Sequence, residues 1–301
     1  MKNMRIPLYV SLGVMILGII LGSFFDYQLS SAIASSTNGF ALTISAIAPT
    51  IGFAGLTFLA GGFVGLALQK ESKTWMKILF FILAAAGLFA GVYYSGPEYF
   101  GVNGFYEAAP KFVGYLIALL PLSGACVGGY FVFRKCENKT FWIILVIAYA
   151  VMILALLGSV VVLKDIMHRP RFRTVSTTDV PFHNWWEPTK DYKEYMNSLG
   201  IAKEEFKSYP SGHTCEASVL LVAVTLAPLG NEKLKKYQLP AYIASFLFVI
   251  LTGFARILAA AHYLSDVSTG GAAMIIFLIV ANEIIIKVKA LQPANEEIAK
   301  E

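Results

Sequence analysis

Long uncharged runs, each fenced by a charge, recur along the chain. Between Arg5 and Asp26 lie 20 uncharged residues, between Lys77 and Glu98 another 20, and between Lys111 and Arg134 there are 22. A bilayer's hydrocarbon core takes roughly 20 apolar residues per helix, so each run predicts a membrane span. The pattern predicts eight, at 6–25, 47–69, 77–96, 112–133, 141–163, 213–229, 239–259 and 267–286. The stretch from Asp26 to Ser45 is polar and rich in small residues, which predicts an interfacial connection. Ser31-Ala32-Ile33-Ala34 faintly resembles a signal-peptidase site. A cleavable signal has an apolar core of about 7–15 residues, however, and the longer run here predicts an uncleaved first span.

Composition agrees with the pattern. Of 301 residues, 57% are hydrophobic and 14% charged, where a soluble domain carries about 25% charged residues. The expected fold class is all-α, a polytopic transmembrane bundle forming one membrane domain over 1–301. Orientation follows from Lys and Arg. With the N-terminus cytoplasmic, eight spans return the C-terminus to the cytoplasm. The connections at 70–77, 134–140 and 230–238 then lie inside with Lys70, Lys73, Lys77, Arg134, Lys135, Lys139, Lys233, Lys235 and Lys236. That is the positive-inside bias, and Lys287 and Lys289 after the last span agree with it. The net charge of +5 thus sits mostly on cytoplasmic edges, which suits anionic lipid headgroups and gives no case for nucleic acid.

One region runs against the bias. Lys164, Arg169, Arg171, Arg173 and Arg256 fall on the outer side, together with all four histidines, His168, His183, His213 and His262. A long translocated loop is exempt from the charge rule, which would account for Arg169 and Arg173. Arg171 and Arg256 are placed differently. Lys164 ends the fifth span and Arg171 follows seven residues on, stiffened by Pro170. His213 opens the sixth span, and Arg256 closes the seventh, with His262 and Asp266 just after it. Bundled spans would bring three cations and two imidazoles into one pocket. Arginine's planar fork suits phosphate oxygens, Lys adds a point charge, and N–H groups of a helix opening behind Gly212 would face the same anion.

The histidines supply chemistry. His262 and Asp266 stand at i and i+4, on one helical face. Asp266 would accept the proton of one ring nitrogen, leaving the other to attack phosphorus. His213 would protonate the departing oxygen and then activate water.

Three segments resemble the signatures of the type 2 phosphatidic acid phosphatase superfamily of integral membrane phosphatases. Its first motif, Lys, six residues, Arg-Pro, is matched in KDIMHRPRF by Lys164 and Arg171. Its second, Pro-Ser-Gly-His, is complete in Pro210, Ser211, Gly212 and His213. Its third, Ser-Arg, five residues, His, three residues, Asp, is met in ARILAAAHYLSD by Arg256, His262 and Asp266. Phe172 stands where the family has Pro, and Ala255 where it has Ser. The resemblance covers about 112–286 as a phosphatase-like core, within which 172–209 form an extracytoplasmic loop. It implies that His262 forms a phosphohistidine, Asp266 orients it and His213 is the acid–base. Lys164, Arg171, Ser211, Gly212 and Arg256 would bind phosphoryl oxygens, with no metal and no cofactor. The family core has six spans, two of them before the span that ends in the first motif. Here four precede it, so two extra spans are expected among the N-terminal spans within 1–111.

The expected function is therefore a membrane phosphatase acting on a lipid phosphate or diphosphate from the extracytoplasmic side of a cell membrane. Polyprenyl diphosphate is the first choice, phosphatidic acid or phosphatidylglycerol phosphate the others. Two alternatives use the same pocket: a phosphotransferase with an acceptor hydroxyl in place of water, and a non-catalytic lipid-binding or transport protein. "DYKEYMNSLG" in the outer loop predicts a short amphipathic helix. Gly61, Gly62 and Gly65 in AGGFVG allow close helix approach, with packing inside the chain expected.

Overall fold

The computed structural model describes residues 4–70, 72–99 and 111–298, the backbone alone at 111 and 289–298. The side chain of Lys289, on the predicted cytoplasmic edge, lies outside them. All regular structure among the described residues is helical, and eight helical stretches there are long and apolar enough to cross a membrane. In chain order the helices are α1 (Arg5–Ile33), α2 (Gly39–Ala67), α3 (Thr74–Ser95), α4 (Lys111–Phe133) and α5 (Lys139–Met167), then α6 (Phe172–Thr177) and α7 (Tyr192–Leu199). They are followed by α8 (Gly212–Ser218), α9 (Leu220–Gly230), α10 (Gln238–Leu258) and α11 (Leu264–Ile298). The 3₁₀ turn Gly96–Tyr99 continues α3.

Two boundaries differ from expectation. The segment from Asp26 to Ser45 is mostly helix, because α1 runs on to Ile33 and α2 starts at Gly39, where the Asn38 side chain accepts from the Ala41 amide at 3.0 Å. Such a cap satisfies one of the unpaired N–H groups at a helix start. The sixth span is two pieces, α8 and α9, that meet at Val219. The amphipathic helix of the outer loop is present as α7.

Helix α2 is the hub. Its apolar window is 72% buried, against 17–28% for α1, α3, α4 and α5, whose outer faces carry exposed Ile, Leu, Val and Phe. It packs on α3 and α4 and also touches α8, α9 and α10. The AGGFVG stretch makes the α2–α4 contact: a Cβ at Gly65 would come within 2.9 Å of the Tyr130 carbonyl, and one at Gly61 would collide with the Cys126 carbonyl. Small residues that let backbones meet replace, in lipid, the hydrophobic drive that packs soluble helices. Helix α1 packs along α11, and the approach is equally close. A Cβ at Gly22 would stand 2.6 Å from the Ser265 amide.

Candidate active site

The motif segments converge at one end of the bundle, where α5, α8, α10 and α11 meet. The turn between α10 and α11 brings Arg256 and His262 together: the Arg256 carbonyl accepts from the amides of Ala261 (3.1 Å) and His262 (3.2 Å). Ala260 makes that turn in the left-handed region, φ 55°, which residues other than glycine seldom enter. The Ser211 amide donates to the Asp266 carbonyl at 3.0 Å, joining the second motif to the third. The Arg171 amide and Nε donate to the carbonyls of Glu205 (2.8 Å) and Glu204 (3.0 Å), which ties the first motif to the outer loop.

His262 is buried, and its Nδ1 lies 2.6 Å from the Ser208 carbonyl oxygen. A carbonyl only accepts, so Nδ1 carries the proton and Nε2 of the neutral ring has its lone pair free. Burial, above all, holds the imidazole well below its ordinary value; nearby Arg256, Arg171 and Lys164 act in the same sense, and Asp266 opposes them. At 3.7 Å, Asp266 Oδ2 stands outside hydrogen-bond distance of Nδ1. The carboxylate is one step removed. Its Oδ2 accepts from the Ser208 hydroxyl (2.5 Å) and the Tyr263 amide (2.9 Å), so it fixes the residue that fixes the histidine.

Arginine 169 holds the other side of Asp266. It is wholly buried, with Nη1 donating to Asp266 Oδ1 at 2.5 Å and to Ser265 Oγ at 2.9 Å. Its Nη2 donates to Asp26 Oδ2 at 2.9 Å and its Nε to the His183 carbonyl at 2.9 Å, and the guanidinium lies 4.2 Å from the Tyr263 ring centre. Asp26 also accepts from the Ser265 amide at 2.9 Å and from the Ser265 hydroxyl. Arg169 is therefore a bolt between α1, the outer loop and α11. Arg173 forms a two-pronged pair with Glu205, Nε–Oε2 2.8 Å and Nη2–Oε1 2.6 Å. Burial alone would raise the Glu205 carboxyl, but Arg173 brings it below the usual carboxylate value.

The remaining cations are less satisfied. Arg256 is 1% exposed, yet its Nε and Nη1, like Arg171 Nη1, have no hydrogen-bond partner among the described residues. Lys164 Nζ reaches to 3.4 Å from the point a Cβ on Gly212 would occupy, and Glu216 Oε1 to 3.6 Å from it. Glycine keeps that space open. The Ser211 hydroxyl caps α8, accepting from the Thr214 hydroxyl at 3.1 Å and the Thr214 amide at 3.4 Å. His213, in the first turn of α8, meets a residue of the N-terminal half: its Nε2 lies 3.3 Å from Glu98 Oε2. Among the described residues no three His, Cys, Asp or Glu side chains gather into a set that would hold a metal ion.

Four residues of this end were not singled out in the sequence. Asp26 and Glu98 stand there as the charges that end two apolar runs, Ser208 acts chiefly through its carbonyl, and Arg169 passes for a loop charge. The available signal was positional: the charge pattern predicts both acids on the same side as the surplus of arginine.

Residues 140–289 match the family model described as PAP2 superfamily. No curated protein and no solved structure matches the chain.

Proposed function

The chain belongs to the PAP2 superfamily, whose members are generally phosphatases, and we propose that it hydrolyses a lipid phosphate or diphosphate at the extracytoplasmic face without a metal, through a phosphohistidine on His262. One observation carries the reading: Arg256 and Arg171 bury three guanidinium nitrogens that have no partner among the described residues, beside Lys164 and the neutral His262. A buried donor without an acceptor costs about 1–3 kcal/mol, more when charged. An anion with several oxygens would answer all three, and the phosphoryl group is the anion that arginine forks fit.

The chemistry follows from that placement. Phosphoryl oxygens rest on Arg171, Arg256 and Lys164, with Ser211 and Gly212 at the floor. His262 Nε2 attacks phosphorus while Nδ1–H stays on the Ser208 carbonyl. His213 gives a proton to the departing oxygen, so the alcohol or lipid monophosphate leaves neutral at that atom. Water then loses a proton to His213, its oxygen bonds to phosphorus, and the P–N bond breaks to restore His262. Charge stabilisation by fixed cations is the main catalytic term in such transfers.

A lipid substrate is supported by what flanks Lys164. Val161, Val162, Leu163 and Ile166 of α5 are exposed apolar residues at the same level of the bundle, so a headgroup reaching the cations would leave its tail against hydrocarbon. Polyprenyl diphosphate is the favoured substrate because an outward-facing site suits recovery of a lipid carrier.

The test is phosphate release by detergent-purified protein from polyprenyl diphosphate and from phosphatidic acid, with EDTA present, beside His262→Ala. Release that survives the chelator and falls at least about a hundredfold in the variant is expected, fastest on polyprenyl diphosphate. Absence of release from both lipids would overturn hydrolysis, and phosphate transfer to added glycerol in the same tubes would replace it with a phosphotransferase.

A further inference from the structure

Glu98 belongs to none of the three motifs and lies outside the residues that match the family, yet it makes the one ion pair of His213 among the described residues, at 3.3 Å. The turn that carries it is held from two sides. Tyr99 donates its hydroxyl to Thr50 Oγ1 of α2 at 3.0 Å, inside the core. Gly96 sits so close to the Tyr115 ring of α4 that a Cβ there would come within 2.8 Å of its Cε1. A carboxylate on a turn fixed to α2 and α4 has little freedom to be elsewhere. Glu98 is about a third exposed, its side chain at 30%, and His213 less so at 14%, so the contact lies at the edge of the cradle and not in bulk solvent.

We propose that Glu98 is a positioning residue for the acid–base histidine, a carboxylate–imidazole pair in which the N-terminal half of the chain contributes to a site otherwise built by the family segment. This rests on the phosphatase reading above. A carboxylate hydrogen-bonded to one ring nitrogen sets the ring's direction and leaves the other nitrogen to move a proton. With Nε2–H on Glu98, the proton that moves is on Nδ1. In the first step Nδ1–H passes to the leaving oxygen as its bond to phosphorus breaks and the His262 N–P bond forms. In the second, Nδ1 takes a proton from water as the water oxygen bonds to phosphorus. The Glu98–Nε2 contact stays in place through both, and Glu98 itself exchanges no proton.

The pair makes a demand on leaving groups that a merely structural glutamate does not. An aliphatic alcohol needs a proton to depart, and a nitrophenolate does not. The experiment compares kcat/KM, which reports the steps up to departure of the alcohol, for dodecyl phosphate and p-nitrophenyl phosphate in wild type, Glu98→Gln, Glu98→Asp and His213→Ala. Loss of about tenfold or more on dodecyl phosphate, with less than about threefold on p-nitrophenyl phosphate, is expected for Glu98→Gln, since general acid catalysis contributes about 10²–10⁴-fold. The retained aryl activity reports that the variant is folded. Glu98→Asp recovers part of the alkyl rate, and Glu98→Gln adds no further loss to His213→Ala. Equal losses on both substrates, or none, would overturn the inference while leaving the phosphatase reading intact. Faster turnover of both by Glu98→Gln would also overturn it and make Glu98 a competitor of the phosphate. No release from either substrate by wild type would instead sink the phosphatase reading, and this inference with it.

Discussion

A histidine that attacks phosphorus has to be neutral, and His262 is held neutral mainly by burial, with the surrounding cations adding to the effect. The consequence reaches stability. In the unfolded chain the imidazole takes up a proton as pH falls through its ordinary value of 6.5, while in the folded protein it does not until well below that. The unfolded state then binds more protons, so stability falls as pH drops below 6.5 and is flat with respect to this group above it. The slope from one such group is at most about 1.4 kcal/mol per pH unit. Thermal unfolding in detergent at about pH 7.5 and about pH 5.5 is expected to show a larger drop for wild type than for His262→Gln. An equal drop in both would mean that the ring protonates in place. The same residue-scale logic explains why Asp266 is not free to touch His262. Its Oδ2, the oxygen nearer the ring, already accepts from Ser208 and Tyr263, which fills its two lone pairs, and Oδ1 is turned to Arg169.

Helices α1 and α11 are joined by charge as well as by packing: a more exposed pair, Arg5–Glu283, ties them away from the site, and at the site end the buried joint is Arg169, between Asp26 and Asp266. Breaking a buried pair costs about 3–5 kcal/mol because the partner is stranded without a counter-charge. Arg169→Ala strands two carboxylates; Asp26→Ala leaves the arginine with one. Both are expected to lower the unfolding temperature in detergent, Arg169→Ala more. The double variant should lose clearly less than the sum, since the residues share one network; additive losses would show that they do not stabilise each other. How much of this was legible differs by element. The spans were, because a bilayer imposes length and hydrophobicity on every crossing. The three motifs were too, since each packs its reactive groups within a few residues at a membrane boundary. Asp26 and Glu98 were not. Both are charges at the ends of apolar runs, where any polar residue would mark a boundary equally well. Nothing local says that Asp26 meets a residue 143 positions away, or Glu98 one 115 away. The break at Val219 inside the sixth span also leaves no mark in an apolar run.

Across the whole molecule the two ends of the bundle differ in how their charges are spent. At the site end Arg169 and Arg173 are matched by carboxylates, and Arg171 and Arg256 keep buried donors without partners. At the far end Lys70, Lys73, Lys77, Arg134, Lys135, Lys233, Lys235 and Lys236 stand where α3, α4, α5 and α10 begin or finish, and Lys287 where the apolar part of α11 ends. A surplus of basic residues is retained in the cytoplasm, so the far end is predicted to lie inside and the site end to face out. Two exposed lysines on opposite ends test this, Lys193 on α7 and Lys235 before α10. In a background with Cys126, Cys136 and Cys215 replaced by alanine, Lys193→Cys is expected to react with a membrane-impermeant maleimide added to intact cells, and Lys235→Cys only after the membrane is opened. Neither change touches the cradle. The reverse pattern would turn the site to the cytoplasm and exclude an outward-facing lipid carrier as its substrate. Labelling of both in intact cells would mean that the far-end charges do not fix a single orientation. The expected pattern would leave the cations of the site end explained by what they bind, since insertion gains nothing from them there.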